Sequence, residues 1–303
     1  MLNSATRSWR MLLPLGAVLL LAVLWTAYWL IASGIAQTRF TRERVKLAAQ
    51  GVTLTCSTER WGGYPFHFTF TCSSPVLALD DRTEIRSSEL LLTALAYAPW
   101  QIVALLDGPS TFAGVGVPPR TAEHQRAVAA LTFDRDWKLN ASVEIPALAI
   151  PGQGTAVQVM LHTRPSGTGG TDIALSAKDV LFGPPGMPPL SIGEGELLGT
   201  LSRENSLAVE RLSLQQKGVR YWGSGTLSLD TENRPSGKLD TQTNDLDGLL
   251  SLLDPHLQLT EEKKAGLRSM LVLLGNEAKA PLIAQDGVLY LGPFRLAELK
   301  PLY

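Results

Sequence analysis

The sequence predicts a mainly β protein that is held at a membrane by an N-terminal helix. Residues 11–38 carry no charged side chain and lie between Arg10 and Arg39. After them, segments of alternating apolar and polar residues recur at roughly ten-residue spacing, which is typical of antiparallel β proteins. Only two short stretches near the C-terminus have a helical pattern. We therefore expect a transmembrane helix, a large antiparallel, curved or barrel-like sheet, and two short C-terminal helices.

The uncharged N-terminal run is long enough to cross a bilayer, which takes about 20 apolar helical residues. Trp25, Tyr28 and Trp29 lie toward its distal end, where aromatic side chains favour the headgroup boundary. Residues 1–36 are thus predicted to be a short tail and an anchor, followed by a basic juxtamembrane helix over 37–50 that ends at Gly51. Residues 51–303 then form a β-rich domain.

A cleaved signal peptide is the alternative for this segment. Gly34-Ile35-Ala36 before Gln37 supplies a small-x-small cleavage site. The apolar stretch of a signal peptide is normally about 7 to 15 residues, which is much shorter than the run found here. The length of the run therefore favours a retained anchor.

The chain has two cysteines, Cys56 and Cys72, and both follow the anchor closely. Each lies on the apolar side of an alternating segment, and the turn-rich residues 61–65 separate the two segments. This pattern predicts a β-hairpin with a disulfide between the facing cysteines, worth about 3 kcal/mol for a loop of this size. The alternative is a pair of buried free thiols. A disulfide would place the domain in an oxidising compartment, which in a bacterium is the periplasm.

The predicted strands each have one apolar face that must be buried. The clearest alternation covers residues 137–145, and residues 157–161 repeat it. The helical stretches, Asp245 to Leu253 and Thr260 to Asn276, are too short to cover so wide a sheet. The sheet must close on itself, pair as a sandwich, or form a groove completed by a hydrophobic ligand. The candidate groove residues are Leu139, Val143, Val157 and Val159.

No residue pattern indicates catalysis, a cofactor or a metal site. The four histidines are far apart in the chain and no further ligand is spaced near the cysteines. The net charge is −1 and charged residues make up 18% of the chain, which argues against a basic nucleic-acid-binding face. We therefore expect a protein that is not an enzyme.

Several short motifs carry a family resemblance. They are Gly63-Tyr64-Pro65-Phe66 between the two cysteines, Ala96-Tyr97-Ala98-Pro99-Trp100, Leu106-Asp107-Gly108-Pro109, and Asp286-Gly287-Val288 with Leu291-Gly292-Pro293. Together they resemble the bacterial envelope family known as domain of unknown function 2125. The ending is also similar in style to the AsmA-like superfamily, whose large members are thought to act in lipid traffic. The first resemblance implies an anchored envelope protein and supplies no catalytic residues.

The expected function is that of a single-pass inner-membrane protein whose periplasmic domain binds or transfers lipid or another hydrophobic ligand. The alternative is a periplasmic scaffold that holds partners in an envelope complex. The inner membrane and a lipid are the expected partners, nucleic acid is not expected, and the sequence does not identify protein partners.

Overall fold

The protein is described by a computed structural model. It describes residues 5–79, 83–114, 117–134, 136, 138–167, 169–183, 186, 188–202, 204, 206–257, 261–262, 265–266, 269, 278–292, 294–299 and 301.

A single helix, α1 (Ala5–Ala49), opens the chain. It contains the whole uncharged run and continues without a break through the predicted juxtamembrane segment. Gly51, with a φ of 86°, follows its end, since glycine adopts the left-handed conformation that often terminates helices. From Leu13 onward α1 is long and apolar enough to cross a membrane, although a signal sequence has the same character.

The rest of the chain is mainly β, as predicted. The strands before the long central hairpins are β1 (Val52–Thr55), β2 (Thr58–Gly62), β3 (His67–Ser73), β4 (Val76–Leu79), β5 (Thr83–Arg86), β6 (Glu89–Leu95), β7 (Ala98–Asp107), β8 (Ser110–Gly114), β9 (Val117–Ala122) and β10 (Ala127–Phe133). The later strands are β11 (Leu139–Ile150), β12 (Gly154–Pro165), β13 (Thr171–Phe182), β14 (Leu190–Leu201), β15 (Leu207–Gln216), β16 (Val219–Leu229), β17 (Pro235–Thr243), β18 (Ala278–Gln285), β19 (Val288–Leu291) and β20 (Phe294–Glu298).

The strands form a large sheet and a small sheet, and the strands of the small sheet follow the same order as the strands of the large sheet that they adjoin along the chain. The large sheet begins β2-β3-β6-β7-β10 and continues in sequence to β20, whereas the small sheet runs β1-β4-β5-β8-β9. The first strand of the small sheet is joined to the first strand of the large sheet by a few residues, and the same holds for the second to the fifth strands. The two sheets are therefore the two sides of one antiparallel sheet that bends along a line across its strands. The large sheet does not close on itself.

Backbone irregularities mark the bend. Ser74, Ala147 and Asp179 have positive φ values of 47°, 51° and 47°, which non-glycine residues seldom adopt. The β11–β12 ladder skips Ala147 and Val157, between Pro146 opposite Gln158 and Leu148 opposite Ala156, without a change of register. The backbone ladder is therefore interrupted where these two strands bend. The bend thus continues beyond the small sheet into the central hairpins.

One face of the large sheet carries an unbroken row of apolar side chains. Residues directly opposite one another across a pair of strands share a face, so the pairings define this row, which we call the apolar row. It consists of Trp61, Phe70, Leu92, Ala104, Ala129, Val143, Leu161, Leu175, Leu197 and Leu212. Glu144, Ser176, Glu196 and Ser213 lie on the opposite face.

Helices cover the two ends of this face. The N-terminal end packs against α1, as described below. Near the other end lies α2 (Leu246–Leu257), where the first C-terminal helix was predicted. Asp245 caps it, since its Oδ1 accepts a hydrogen bond from the Gly248 amide at 2.9 Å. Of the second predicted helix, residues 261, 262, 265, 266 and 269 are helical, and the remainder lies outside the described residues.

Cys56 and Cys72 form the predicted disulfide. The predicted hairpin is also present as β2 and β3, but Cys56 does not lie on its first strand. It lies in the short connection between β1 and β2, where the chain crosses the bend. Cys72 is fully buried on β3. The disulfide therefore ties the bend to the large sheet.

Candidate functional site: a cavity between the N-terminal helix and the sheet

The distal half of α1 packs against the first strands of the large sheet. Trp29 is 9% exposed and forms a small core with Phe68 on β3 and Ala96 in the β6–β7 turn. The edge of the Trp29 ring also meets Tyr64, with ring centroids 5.3 Å apart. This part of the apolar helix is therefore attached to the β domain.

Three aromatic side chains of α1 donate hydrogen bonds to backbone carbonyls of the domain. Trp25 Nε1 donates to Pro65 O at 2.9 Å, and Trp29 Nε1 donates to His67 O at 2.9 Å. Tyr28 Oη donates to Ala96 O at 2.7 Å. Indole and phenol groups with an apolar body usually find such a partner when buried. These bonds fix the rotation of α1 relative to the sheet.

A second cluster holds α1 to the sheet farther along the helix. Phe40 contacts Phe70 and Trp61, with ring centroids 4.6 and 5.4 Å away. Arg44 donates to Glu59 Oε1 at 2.8 Å and to Leu54 O at 2.6 Å. The helix is thus held at two places, and the sheet between them is left partly uncovered.

A cavity of about 520 Å³ lies between these two attachments, a size within the range of small-molecule sites. From the sheet, Phe68, Phe70, Leu92, Ile102 and Phe133 line it. From the helix, Tyr28, Ala32, Ile35, Ala36 and Phe40 line it. The wall is almost entirely aliphatic and aromatic, so the cavity suits a hydrophobic ligand.

Apart from Thr93 of β6, the polar residues that line the cavity lie at its ends. Tyr28 is at one end, and Arg39 and Glu43 are at the other, about 20 Å apart at the helical rise of 1.5 Å per residue. Glu43 pairs with Lys46 at 2.7 Å. Arg39 is exposed and forms no ion pair with a described residue. The site is therefore an elongated apolar slot with an available cation at one end.

The residues predicted for a groove extend the face that lines this cavity. Val143 belongs to the apolar row and is half-buried. Leu139 pairs with Phe133 of the cavity wall and is 43% exposed. Val159 is half-buried on the same face, opposite Ile145. Val157 stands at the bend and is 59% exposed. The cavity itself lies nearer to α1 than these residues.

The structure also brings together a serine and a histidine that are separate in the sequence. Ser110 Oγ lies 2.8 Å from His124 Nε2, and His124 Nδ1 lies 2.6 Å from Gln125 O. Ser87 Oγ is 2.5 Å from Ser110 Oγ. Ser110 is only 2% exposed, so solvent does not reach its hydroxyl. Because the group joins strands across the bend, its evident effect is to hold the bend together.

Sequence reasoning did not find the helix-lined cavity, although a signal for it exists. Positions 25, 29, 32, 36, 40 and 43 of α1 follow one another at intervals of three or four, which places them on one face of a helix. That stripe runs through the predicted anchor and juxtamembrane segments alike. It indicates a partner along the whole distal half of the helix.

Comparison with protein families gives a match over most of the chain. The model of a family described as "Uncharacterized protein conserved in bacteria (DUF2125)" matches residues 29–300. The match therefore includes Trp29, the cavity-lining residues of α1 apart from Tyr28, and nearly all of the β domain. No curated protein and no solved structure matches the chain.

Proposed function

The chain belongs to the bacterial family DUF2125, and on that premise we propose that it is a membrane-anchored envelope protein that holds a lipid. In this proposal it is not an enzyme, and its β domain lies in the periplasm. One observation carries the lipid proposal: the apolar cavity lies between a helix fit to cross a membrane and an open sheet.

The packing of α1 supports a retained anchor over a cleaved signal peptide. Cleavage before Gln37 would separate Trp25 and Trp29 from the domain that they contact, while leaving Phe40 and Arg44 in place. It would also remove Tyr28, Ala32 and Ala36 from the cavity wall. A helix with donors matched to specific carbonyls of the domain fits a permanent element of the structure.

The order of polar and apolar groups along the cavity favours an amphipathic lipid. Arg39 is the first charged residue after the apolar run, so it lies on the aqueous side of the anchor. A lipid of the adjacent leaflet would place its acyl chain beside Ala32 and Ala36 and its anionic headgroup near Arg39. Charge-assisted hydrogen bonds from arginine suit a phosphate or a carboxylate.

The disulfide supports the periplasmic placement. Cys56 and Cys72 are bonded, and disulfides persist in oxidising compartments such as the bacterial periplasm.

Native mass spectrometry of the full chain, extracted in mild detergent, tests lipid binding. We expect a copurifying lipid adduct on the wild type. Ala36→Trp places a large side chain in the cavity and should remove the adduct. Ala48→Trp is the matched control, because Ala48 is exposed on the same helix outside the cavity. Absence of an adduct from the wild type, or equal adducts in both variants, would overturn the proposal.

A periplasmic scaffold is the second candidate function. The observation that favours it is the open sheet, which ends at the edge strand β20, because an unpaired strand can accept a strand from a partner. A wild type that carries no lipid but retains a specific protein through an extraction would support this function instead.

A further inference from the structure

The position of α1 in a bilayer fixes the depth of the residues that it contacts. This step rests on the proposed membrane anchor. A hydrocarbon core of about 30 Å takes about 20 helical residues. Within the uncharged run 11–38, such a window starts no earlier than residue 11 and ends no later than residue 38. Every such window includes residues 19–30, and therefore Trp25, Tyr28 and Trp29.

All three of these residues form hydrogen bonds with the β domain. Their acceptors lie in the β2–β3 turn, at the first residue of β3 and in the β6–β7 turn. We call residues 63–66 and 96–100 the aromatic tip. We infer that the aromatic tip is inserted in the membrane beside α1, so that the cavity opens directly toward the acyl chains.

The surface of the aromatic tip fits a lipid environment. Tyr64, Phe66, Tyr97 and Trp100 are 57%, 56%, 62% and 48% exposed. Tyrosine and tryptophan are enriched where proteins meet the membrane interface. A group of exposed aromatic side chains of this kind marks an interaction site on a protein surface.

Charge is missing from the same region of the chain. No Asp, Glu, Lys or Arg occurs in residues 61–79 or in residues 90–106. The next turn at this end of the sheet, between β10 and β11, contains Asp134, Asp136 and Lys138. Charged side chains are costly in the hydrocarbon core, so insertion is confined to the two turns nearest α1.

Several carbonyls in the aromatic tip or directly beside it are bonded within the protein, as an irregular backbone at membrane depth requires. Pro65 O, His67 O and Ala96 O accept hydrogen bonds from α1. Phe66 O accepts one from the Ala96 amide at 2.8 Å, and Gly63 O accepts one from the His67 amide at 2.8 Å. Without α1, three of these carbonyls would face lipid without a partner.

Insertion has a consequence for how the cavity is loaded. Tyr28 and Trp100 line the end of the cavity beside the aromatic tip. With the tip in the membrane, that end meets the acyl-chain region, and a lipid tail enters sideways without crossing water. The opposite end, at Arg39, remains at the headgroup level.

Depth-dependent quenching on variants of the full chain that each carry one added cysteine tests the inference in liposomes. Both native cysteines are in a disulfide, so Tyr97→Cys offers one labelling site for an environment-sensitive fluorophore. Leu24→Cys, on the lipid-facing side of α1, is the membrane control. Phe182→Cys is the aqueous control, because Phe182 is 49% exposed at the end of β13 far from the tip. Nitroxide-labelled phospholipid and aqueous iodide are the two quenchers.

We expect the label at position 97 to be quenched by nitroxide lipid, as the label at position 24 is, and to be protected from iodide. The label at position 182 should be quenched by iodide and not by nitroxide lipid. Phe66→Cys should behave as position 97 does, and it serves as the second site. If positions 97 and 66 respond as position 182 does while position 24 is in lipid, the inference is overturned and the anchor stands. If position 24 is itself quenched by iodide, the anchor fails and the inference fails with it.

Discussion

Asp107 and Arg126 form a bidentate ion pair beside the line where the sheet bends. Arg126 Nε donates to Asp107 Oδ1 at 2.6 Å, and its Nη2 donates to Oδ2 at 2.9 Å. Asp107 ends β7 and Arg126 immediately precedes β10, so the pair joins two neighbouring strands where the chain turns into the small sheet. It stands next to the group of Ser87, Ser110 and His124.

The first prediction concerns acid stability at this pair. Hydrogen bonds from Arg126, helped by its charge and opposed by partial burial, lower the pKa of Asp107 below its ordinary value. A lowered pKa in the folded state stabilises the protein above the pKa of the unfolded state, and this contribution is lost as the pH falls through the folded value, below about pH 4. We expect Asp107→Asn to lower the melting temperature slightly at pH 7 and to have progressively less effect toward pH 3.

Thermal unfolding of the detergent-solubilised full chain from pH 7 to pH 3 measures this difference. Glu84→Gln is the control, since it removes a carboxylate from an exposed pair with Arg86 inside one strand. If Asp107→Asn lowers the melting temperature by the same amount at pH 7 and at pH 3, the prediction is wrong.

The second prediction concerns the disulfide. Its two cysteines are separated by 16 positions, and closing such a loop contributes about 3 kcal/mol in the chain-entropy model. Replacing both cysteines by alanine should lower the free energy of unfolding by roughly that amount, measured by urea denaturation. Ser57→Ala, which leaves the disulfide in place, should have little effect.

Alkylation of intact cells before lysis checks the disulfide and the compartment together. We expect neither cysteine to react in the wild type unless a reductant is added. Two reactive thiols in freshly isolated protein would show that the pair is not oxidised in the cell. The main support for a periplasmic domain would then be lost.

The third prediction concerns the uncovered middle of the apolar row. Val143 is half-buried between Ala129 and Leu161. Val143→Asp should therefore cost about 1–3 kcal/mol, less than an unpaired charge in a closed core would cost, because water reaches the carboxylate. It should also remove copurifying lipid, since the charge lies on the face that continues from the cavity.

Asn140→Asp is the matched control, since Asn140 lies on the other face of the same strand. Lipid retention by native mass spectrometry and the free energy of unfolding are the two measurements. A Val143→Asp protein that fails to fold, together with a wild type that never carries lipid, would mean that this face is an ordinary closed core. The scaffold function would then be favoured.

Local patterns were sufficient for much of the fold. The length of the uncharged run identified the helix, and the period-two alternation identified strands such as β11 and β12, because each depends on neighbours in sequence. The disulfide between Cys56 and Cys72 was also predicted correctly, because the cysteines flank a short turn. The position of Cys56 was not, since a bend between two strands leaves no local signature.

The sequence by itself determined the apolar helix, the β-rich domain, the disulfide and the family. Only the tertiary structure decided that the sheet stays open and bends along one line, that α1 docks on β3 and the β6–β7 turn, and that Ser110 meets His124. The reason is physical. The alternation of residues along a strand indicates which of its faces is apolar. What covers that face depends on contacts between residues such as Trp29 and Ala96. Contacts so distant in the chain are set by packing of the whole molecule.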